Sequence, residues 1–271
     1  MKPEVLYVHA GSFHSDDVMC AALAEIAFPG IRVERVYDVT ESMMNDDRAI
    51  VADIGGGKYD HHQSDARRRE NGDKYAACGL LFEDIWEDIF PDKASAERFI
   101  NNYIIPIERS DNGIVNNPLS AAVRAFNPAW DEESRADEAF REAADMMKRI
   151  VQREVSTAKS ELRARGIVEE ALAASELGLV ILEAHIPWEA VLAPSDAKYV
   201  IYPSKRGGFN IQAVPVEEGS FESKIPLPEE WHDEPPKGCR FVHASRFLAA
   251  FEDRESAVAA GKALVKRQQT L

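Results

Sequence analysis

The sequence predicts an α/β protein, with an amino-terminal, mainly parallel sheet flanked by helices, a helical connector, and a smaller carboxy-terminal α+β lobe. Three textures lead there. The first third alternates short apolar runs with helical periodicity, the middle is long and rich in Ala, Glu, Arg and Lys, and the last third returns to short β-rich runs.

Val5–His9 reads as a strand, Gly11–Ser15 as a loop and Asp16–Phe28 as an apolar-periodic helix. Ile31–Tyr37 and Ala49–Ile54 read as further strands, and Gly55–Gly57 breaks the chain directly after the second. Strand, loop, helix, strand is the alternation of a parallel sheet with crossover helices, whose sites lie at the carboxyl ends of strands. His9 and Asp53 fall at those ends. Ala77–Phe90 and Ala94–Ile105 carry helical spacing, with Pro106 expected to end or kink the second. A helix over Leu119–Phe126 is bounded by Asn117–Pro118 and Asn127–Pro128. Glu132 to about Ser175 is helical in pattern, with a break expected near Gly166. Leu177–Glu183, Tyr199–Pro203, Phe209–Val214 and Phe241–His243 then read as strands, Arg206–Gly207–Gly208 as a hairpin turn, and Arg254–Arg267 as a terminal helix. The expected domains are residues 1–130, a connector over 131–176, and 177–271.

The 271 residues are 45% apolar, enough for a packed core, and 32 basic against 47 acidic side chains leave a formal charge of −15. That balance disfavours a protein that wraps long duplexes, since phosphate binding needs a Lys/Arg surface. It is compatible with gathering divalent cations on carboxylates. Cys20, Cys78 and Cys239 are far apart and form no CxxC pair, so neither a disulfide framework nor a structural zinc site is expected. With no leader pattern at Met1–Val5 and no apolar run near 20 residues, a cytoplasmic protein without a membrane span is the expectation.

Two clusters carry chemistry. His9, His14, Asp16 and Asp17 crowd one strand-to-helix turn, where imidazole nitrogens and carboxylates are the usual ligands of Mn²⁺, Zn²⁺ or Fe²⁺. Asp16 on its own reads equally as a helix cap or as a ligand. The second cluster is Asp53, the three glycines, then Asp60–His61–His62–Gln63; a carboxylate at a strand end can bridge two cations. Either cluster alone has a plain structural reading as a cap, a turn or a surface pair. If the strands are adjacent, both converge on one sheet edge.

Val51–Ala52–Asp53–Ile54–Gly55–Gly56 and Tyr59–Asp60–His61–His62–Gln63, after the spaced His9, Gly11, Phe13, His14 and Asp16, resemble the melanocyte-proliferating-gene family within the DHH phosphoesterases. Glu108–Arg109–Ser110–Asp111–Asn112–Gly113, Arg124–Ala125–Phe126–Asn127–Pro128–Ala129–Trp130, Leu227–Pro228–Glu229–Glu230–Trp231 and Gly238–Cys239–Arg240–Phe241–Val242–His243–Ala244–Ser245 extend the resemblance across nearly the whole chain. It implies a DHH-like metal-binding catalytic domain over 1–130, a substrate-binding domain over 177–271, and 3′–5′ exonuclease activity with two divalent metal ions, foremost Mn²⁺, with Mg²⁺, Zn²⁺ or Fe²⁺ as alternatives. By the same resemblance His9, His14 and Asp53 would hold one metal, and Asp16, Asp53, Asp111 and His61 or His62 the other. His14 stands where the wider superfamily has an aspartate, and His243–Ala244–Ser245–Arg246 replaces its Gly-rich, His-ending motif.

Asp60 is expected to orient a ligating imidazole and His62 to meet a phosphoryl oxygen. Arg109, Arg124, His243, Ser245 and Arg246 are the candidates for substrate phosphate. Trp188, Trp231 and Phe241 could stack bases, but burial is the expectation for each. The reading is a metal-dependent phosphodiesterase acting on short or single-stranded RNA or DNA. A hydrolase of pyrophosphate or a dinucleotide, and a non-catalytic metal-binding regulator, are the alternatives; a homo-oligomer stays open.

Overall fold

A computed structural model describes residues 2–132 and 135–267. Glu133 and Ser134, at the start of the expected connector, lie outside the described residues. The chain divides into two compact units, one ending at Lys159 and the other beginning at Ser160.

The amino-terminal unit holds β1 (Val5–His9), α1 (Ser15–Ala27), β2 (Arg32–Val36), the short α2 (Glu41–Met44) and β3 (Ala49–Val51). The strands form a parallel sheet in the order β2-β1-β3, with Tyr7 opposite Val51. Two residues further on, that register sets the end of β1 beside the segment that carries Asp53. α1 is buried along nearly its whole length, from Ser15 to Ala24, which its Ala- and Cys-rich sequence permits because small side chains let neighbouring helices approach. It packs against α3 (Ala77–Ile89), whose Leu81, Phe82 and Ile85 join the core.

Pro106 does not end its helix. α4 (Lys93–Phe99) runs into a π-helical turn over Ile100–Ile104 and on into α5 (Ile105–Asp111). The Ile105 amide donates to the Ile100 carbonyl, five residues back, and this widened turn re-spaces the carbonyls ahead of the proline ring. The helix therefore continues far enough to bring in Glu108 and Asp111.

α6 (Pro118–Arg124) follows, and Asn127 behind it clamps the loop after β1. Its Oδ1 accepts from the Phe13 amide and its Nδ2 donates to the Phe13 carbonyl, each at 2.9 Å. Phe13 is fully buried and meets Phe140 edge-on, a burial that contributes roughly 1.5–3 kcal/mol.

Phe140 lies on α7 (Ala136–Ala173), a single helix of 38 residues. No break occurs at Gly166, contrary to the expectation from the sequence. Its position is exposed, where a helical glycine costs only about 1 kcal/mol relative to alanine, and Ala164 and Val168 on either side are buried.

Arg69 and Glu108 form a buried bidentate pair, Nε to Oε2 at 2.5 Å and Nη2 to Oε1 at 2.9 Å. It fastens the turn-rich segment 67–75 to α5. Burial pushes the Glu108 carboxyl up despite the pull of Arg69. Arg69→Ala would strand that carboxylate, so the variant is expected to lose about 3–5 kcal/mol of stability, read as a lowered midpoint in urea unfolding; an unchanged midpoint would mean the pair contributes nothing.

The second unit carries β4 (Leu179–Ile181), α8 (Glu189–Leu192), β5 (Tyr199–Pro203), β6 (Phe209–Ala213), a 3₁₀ turn over Glu229–Trp231, β7 (Cys239–Val242), β8 (Leu248–Phe251) and α9 (Arg254–Arg267). Its sheet runs β4-β5-β6-β8-β7, parallel between β4 and β5 and antiparallel elsewhere. β8 has no counterpart in the sequence reading: Leu-Ala-Ala-Phe has weak β-propensity and pairs because β6 and β7 flank it. At the β5–β6 turn Gly208 has φ 73°, and a Cβ there would come within 2.0 Å of the Phe251 carbonyl, so glycine is required. Among the described residues no helix is long and apolar enough to cross a membrane.

Candidate metal centre

Four segments of the amino-terminal unit deliver the polar cluster. His9 ends β1, Asp16 and Asp17 open α1, Asp53 follows β3, and Asp111 closes α5. His61 and His62 arrive through the glycine loop. Gly55 and Gly56 have φ 85° and 69°, which turns the chain back so that the Gly56 amide donates to Asp60 Oδ2 at 2.7 Å. Asp53 itself has φ 61°, a left-handed conformation that Asp tolerates better than most residues.

Asp53 faces two ways. Its Oδ2 lies 3.4 Å from His9 Nε2, and its Oδ1 lies 3.1 Å from His61 Nε2. His9 Nε2 is also 2.8 Å from Asp17 Oδ2, and His61 Nε2 is 3.3 Å from Asp111 Oδ2 and 3.7 Å from Asp16 Oδ2. Three overlapping donor groups result, each with its atoms within 4.8 Å of one another: His9–Asp17–Asp53, Asp53–His61–His62 and Asp16–His61–Asp111. Asp53 and His61 each belong to two of them.

The protonation pattern shows the strain of this packing. Contact with the Asp17 carboxylate, and then with Asp53, holds the His9 imidazole up at about 11. Burial pulls His61 down, but Asp53, Asp16 and Asp111 outweigh it and hold the ring at about 9. Burial would raise Asp53, yet His61 and His9 keep it at about 2. Asp16, Asp17 and Asp111 are pushed up, by burial first.

The residues fit a divalent cation. Asp17 Oδ2, Asp53 Oδ1 and His61 Nε2 are buried with no partner in hydrogen-bond geometry, although a buried polar atom normally has one. Carboxylate oxygens mixed with imidazole nitrogens suit first-row divalent ions.

Each residue singled out in the sequence has a definite place. Asp16 caps a helix, but not its own: its Oδ1 and Oδ2 accept from the Cys78 and Ala77 amides at the start of α3, at 2.7 and 2.9 Å. His14 lines the same cleft, 59% exposed, with Nδ1 3.9 Å from Asp111 Oδ1, and stands outside the three donor groups. Asp60 Oδ1 accepts from the His62 amide at 3.0 Å and lies 2.8 Å from its Nδ1. Arg109 pairs with Asp73 at 3.3 Å, and Arg124 is exposed at the end of α6; neither is among the residues lining the cleft. His243, Ser245 and Arg246 belong to the second unit, where the Ser245 amide donates to His243 Nδ1 at 3.1 Å and Arg246 has φ 55°. Trp188 and Trp231 are buried, whereas Phe241 is 51% exposed, which corrects the expectation of burial. β7 is an edge strand with a bulge between Cys239 and Phe241.

Asp17 was placed in the polar turn by the sequence but given no metal of its own, and Lys74 escaped the sequence reading. Asp17 Oδ1 accepts from the His14 amide at 3.0 Å, the reach-back of a capping box, while its other oxygen faces His9. Its place in the turn was visible in the sequence; its pairing with His9 was not. Lys74 lines the cleft of about 540 Å³ together with Asn112, His9, His14 and Asp111, and no local pattern marks it. Asn112 Nδ2 donates to the Lys74 carbonyl at 3.2 Å, tying that segment to the end of α5.

A parallel sheet that presents carboxylates and imidazoles from its strand ends defines the class, an α/β protein with the donor set of a divalent-metal site. Residues 5–264 match the family model MYG1_exonuc, described as an uncharacterised protein family (UPF0160). The chain belongs to this family. It is 29% identical to MYG1 exonuclease of Mus musculus over 99% of this chain and 86% of the relative, and 28% identical to that of Homo sapiens over 100% and 88%. The crystal structure of RecJ in complex with Mg²⁺ from Thermus thermophilus is a distant likeness, with a TM-score of 0.33 and 11% identity. It covers 97% of this chain, which spans about half (49%) of that one.

Proposed function

We propose that the protein is a metal-dependent exonuclease that hydrolyses phosphodiester bonds in short or single-stranded RNA or DNA with two divalent ions, foremost Mn²⁺. The observation that carries this is the disposition of Asp53, whose two oxygens face two different donor groups as a bridging carboxylate must. His9, Asp17 and Asp53 would hold one ion, with His14 beside them; Asp53, His61, Asp111 and Asp16 would hold the other. When bound, such a pair supplies an activated water and neutralises charge on the phosphoryl oxygens.

The protein's own side chains do the rest. Asp60 holds His62 by Nδ1, which fixes the tautomer and leaves Nε2, on a ring 65% exposed, to donate to a phosphoryl oxygen. Lys74 binds and orients the phosphate, and Asn112, whose Nδ2 donates to the Lys74 carbonyl, holds the segment that carries it. Among the described residues that line this wall, Lys74 alone is a lysine or arginine, and it has no ion pair with any of them. Asn127 and the Arg35 guanidinium, which donates to the Gly11 carbonyl, keep the loop between His9 and His14 from shifting.

Lys74→Gln is expected to lower kcat/KM about 10- to 100-fold, the worth of one charge-assisted hydrogen bond, with metal content unchanged; loss of metal in this variant would refute the assignment. The activity is tested with purified protein loaded with Mn²⁺ and offered end-labelled RNA and DNA strands beside pyrophosphate and a dinucleotide. Shortened strands are expected. Turnover of pyrophosphate or the dinucleotide alone would shift the reading to a small-phosphate hydrolase, and no product at full metal occupancy would leave a non-catalytic metal protein.

A further inference from the structure

The turn that leads into the carboxy-terminal sheet carries a residue that its backbone disfavours. Glu176, Leu177, Gly178 and Leu179 close it, with the Leu179 amide donating to the Glu176 carbonyl at 3.0 Å. Both central residues have positive φ, 60° at Leu177 and 82° at Gly178. Two positive angles in succession belong to a type I′ turn, which Asn, Asp and Gly fill. Gly178 obeys that preference, whereas the leucine side chain at φ 60° carries steric strain. Burial does not offset it, since Leu177 is 41% exposed. Strain held without a packing gain points to a role for the side chain at the surface.

Leu177 lines an open cleft of about 370 Å³, the size of a small-molecule site. β4 is the edge strand of its sheet, so among the described residues no further strand closes this side. The walls are aliphatic: Leu179 and Ile181 of β4, Ala171 near the end of α7 and Val265 of α9. No aromatic ring among the described residues lines the cleft. Lys262 and Lys266 stand at it, one turn apart and hence on one side of α9. Lys262 forms no ion pair among the described residues. Glu176 is the sole carboxylate among the described lining residues, so the lining is net positive in a chain whose formal charge is −15.

We propose that this cleft binds a single-chain aliphatic anion, a medium-chain carboxylate, with its alkyl chain against Leu177, Leu179, Ile181 and Val265 and its head group at Lys262 and Lys266. Aliphatic walls favour an alkyl chain through the apolar area that binding removes from water. Two ammonium groups at the same cleft select a negative head. A nucleotide is the poorer occupant, because no described side chain of the lining stacks on a base. The site belongs wholly to the second unit, and it depends on neither the metal centre nor the proposed nuclease activity.

The test is isothermal titration calorimetry of the full chain with decanoate below its micelle-forming concentration, beside decylamine and acetate. Wild-type protein is expected to take up one decanoate, about tenfold or more tighter than decylamine or acetate, which lack the charge or the chain. Lys262→Gln should weaken decanoate about tenfold, the loss of one charge-assisted contact. Glu176→Gln should tighten it about two- to threefold, as removal of an exposed like charge does. Leu177→Asn separates strain kept for binding from ordinary packing. Asparagine accepts the left-handed backbone, so the melting temperature should rise while decanoate affinity falls about tenfold with the lost apolar contact. Unchanged decanoate affinity in that variant overturns the proposal, and a lower melting temperature beside it would show a leucine that merely packs. If the variant both melts lower and binds less, the exposed Lys262 decides: retained affinity in Lys262→Gln overturns the site and a tenfold loss upholds it. No heat with decanoate, or equal binding of decylamine, overturns it outright. So does affinity for anionic vesicles without affinity for free decanoate, which would assign the cleft to a membrane surface. A dimer that forms without decanoate and dissociates in Lys262→Gln would assign it to a second copy and overturn it as well.

Discussion

Asp53→Asn is expected to remove turnover by about a thousandfold or more, the scale seen when a principal electrostatic group is lost, and to weaken both metal ions together. The reason is geometric: one carboxylate serves the His9 side through Oδ2 and the His61 side through Oδ1. Asparagine is the informative replacement. It keeps the size and tolerates the left-handed backbone at φ 61°, whereas alanine would add backbone strain to the loss of charge. The measurement is metal content together with kcat. A variant that binds two ions and turns over near the normal rate would refute the proposed centre. Loss of one ion with the other held at full affinity would show that Asp53 is a ligand without being a bridge.

The two adjacent histidines are expected to separate cleanly. His61→Asn should lose metal and about a thousandfold in turnover, because its Nε2 is buried among Asp53, Asp111 and Asp16 and takes part in two donor groups. His62→Asn should keep its metal and lose about 10- to 100-fold in activity, as is typical of groups that orient or assist rather than ligate. The structural difference is plain: the His61 side chain is 7% exposed and the His62 side chain 65%. Metal lost in the His62 variant and kept in the His61 variant would reverse the two roles. Circular dichroism of each variant separates a missing ligand from a failure to fold.

Much of the amino-terminal lobe was legible because its signals are local. Val5–His9, the helix after it and the glycine break after β3 are period-two, period-3.6 and φ-positive patterns that a single chain displays on its face. The same locality explains the misses. A proline inside a helical pattern reads as a stop or a kink, and only the π turn before Pro106 shows that the helix does not stop there. A glycine near the middle of a long pattern reads as a break, and only the packing of Ala164 and Val168 shows that it is none. β8 is too weak a strand to announce itself without β6 and β7 on either side.

The polar residues divide in the same way. That His9, His14, Asp16, Asp53, His61 and Asp111 are chemical rather than incidental is written in their types, their spacing and the family resemblance they carry. Which carboxylate faces which imidazole is not. Asp16 could be weighed as a cap for its own helix, but the helix it caps starts 61 residues further along the chain. Asp17 belongs to the polar turn by sequence, but only the end of β1 brings His9 within 2.8 Å of it. Lys74 reaches the cleft only because Arg69 and Asn112 tie its segment to α5.

By itself, then, the sequence determined the α/β class, the strand ends at which chemistry would lie, and a net charge of −15 that leaves little room for a broad nucleic-acid surface. The tertiary structure decided how that charge is distributed. Parallel pairing of β1 with β3 concentrates buried carboxylates at one sheet edge where divalent ions can offset them, and the open edge of the second sheet sets Lys262 and Lys266 beside an aliphatic cleft. The physical reason is range: propensity and periodicity act over a few residues, whereas the electrostatics of a site are fixed by groups within about 4 Å in space, however far apart they stand in the chain.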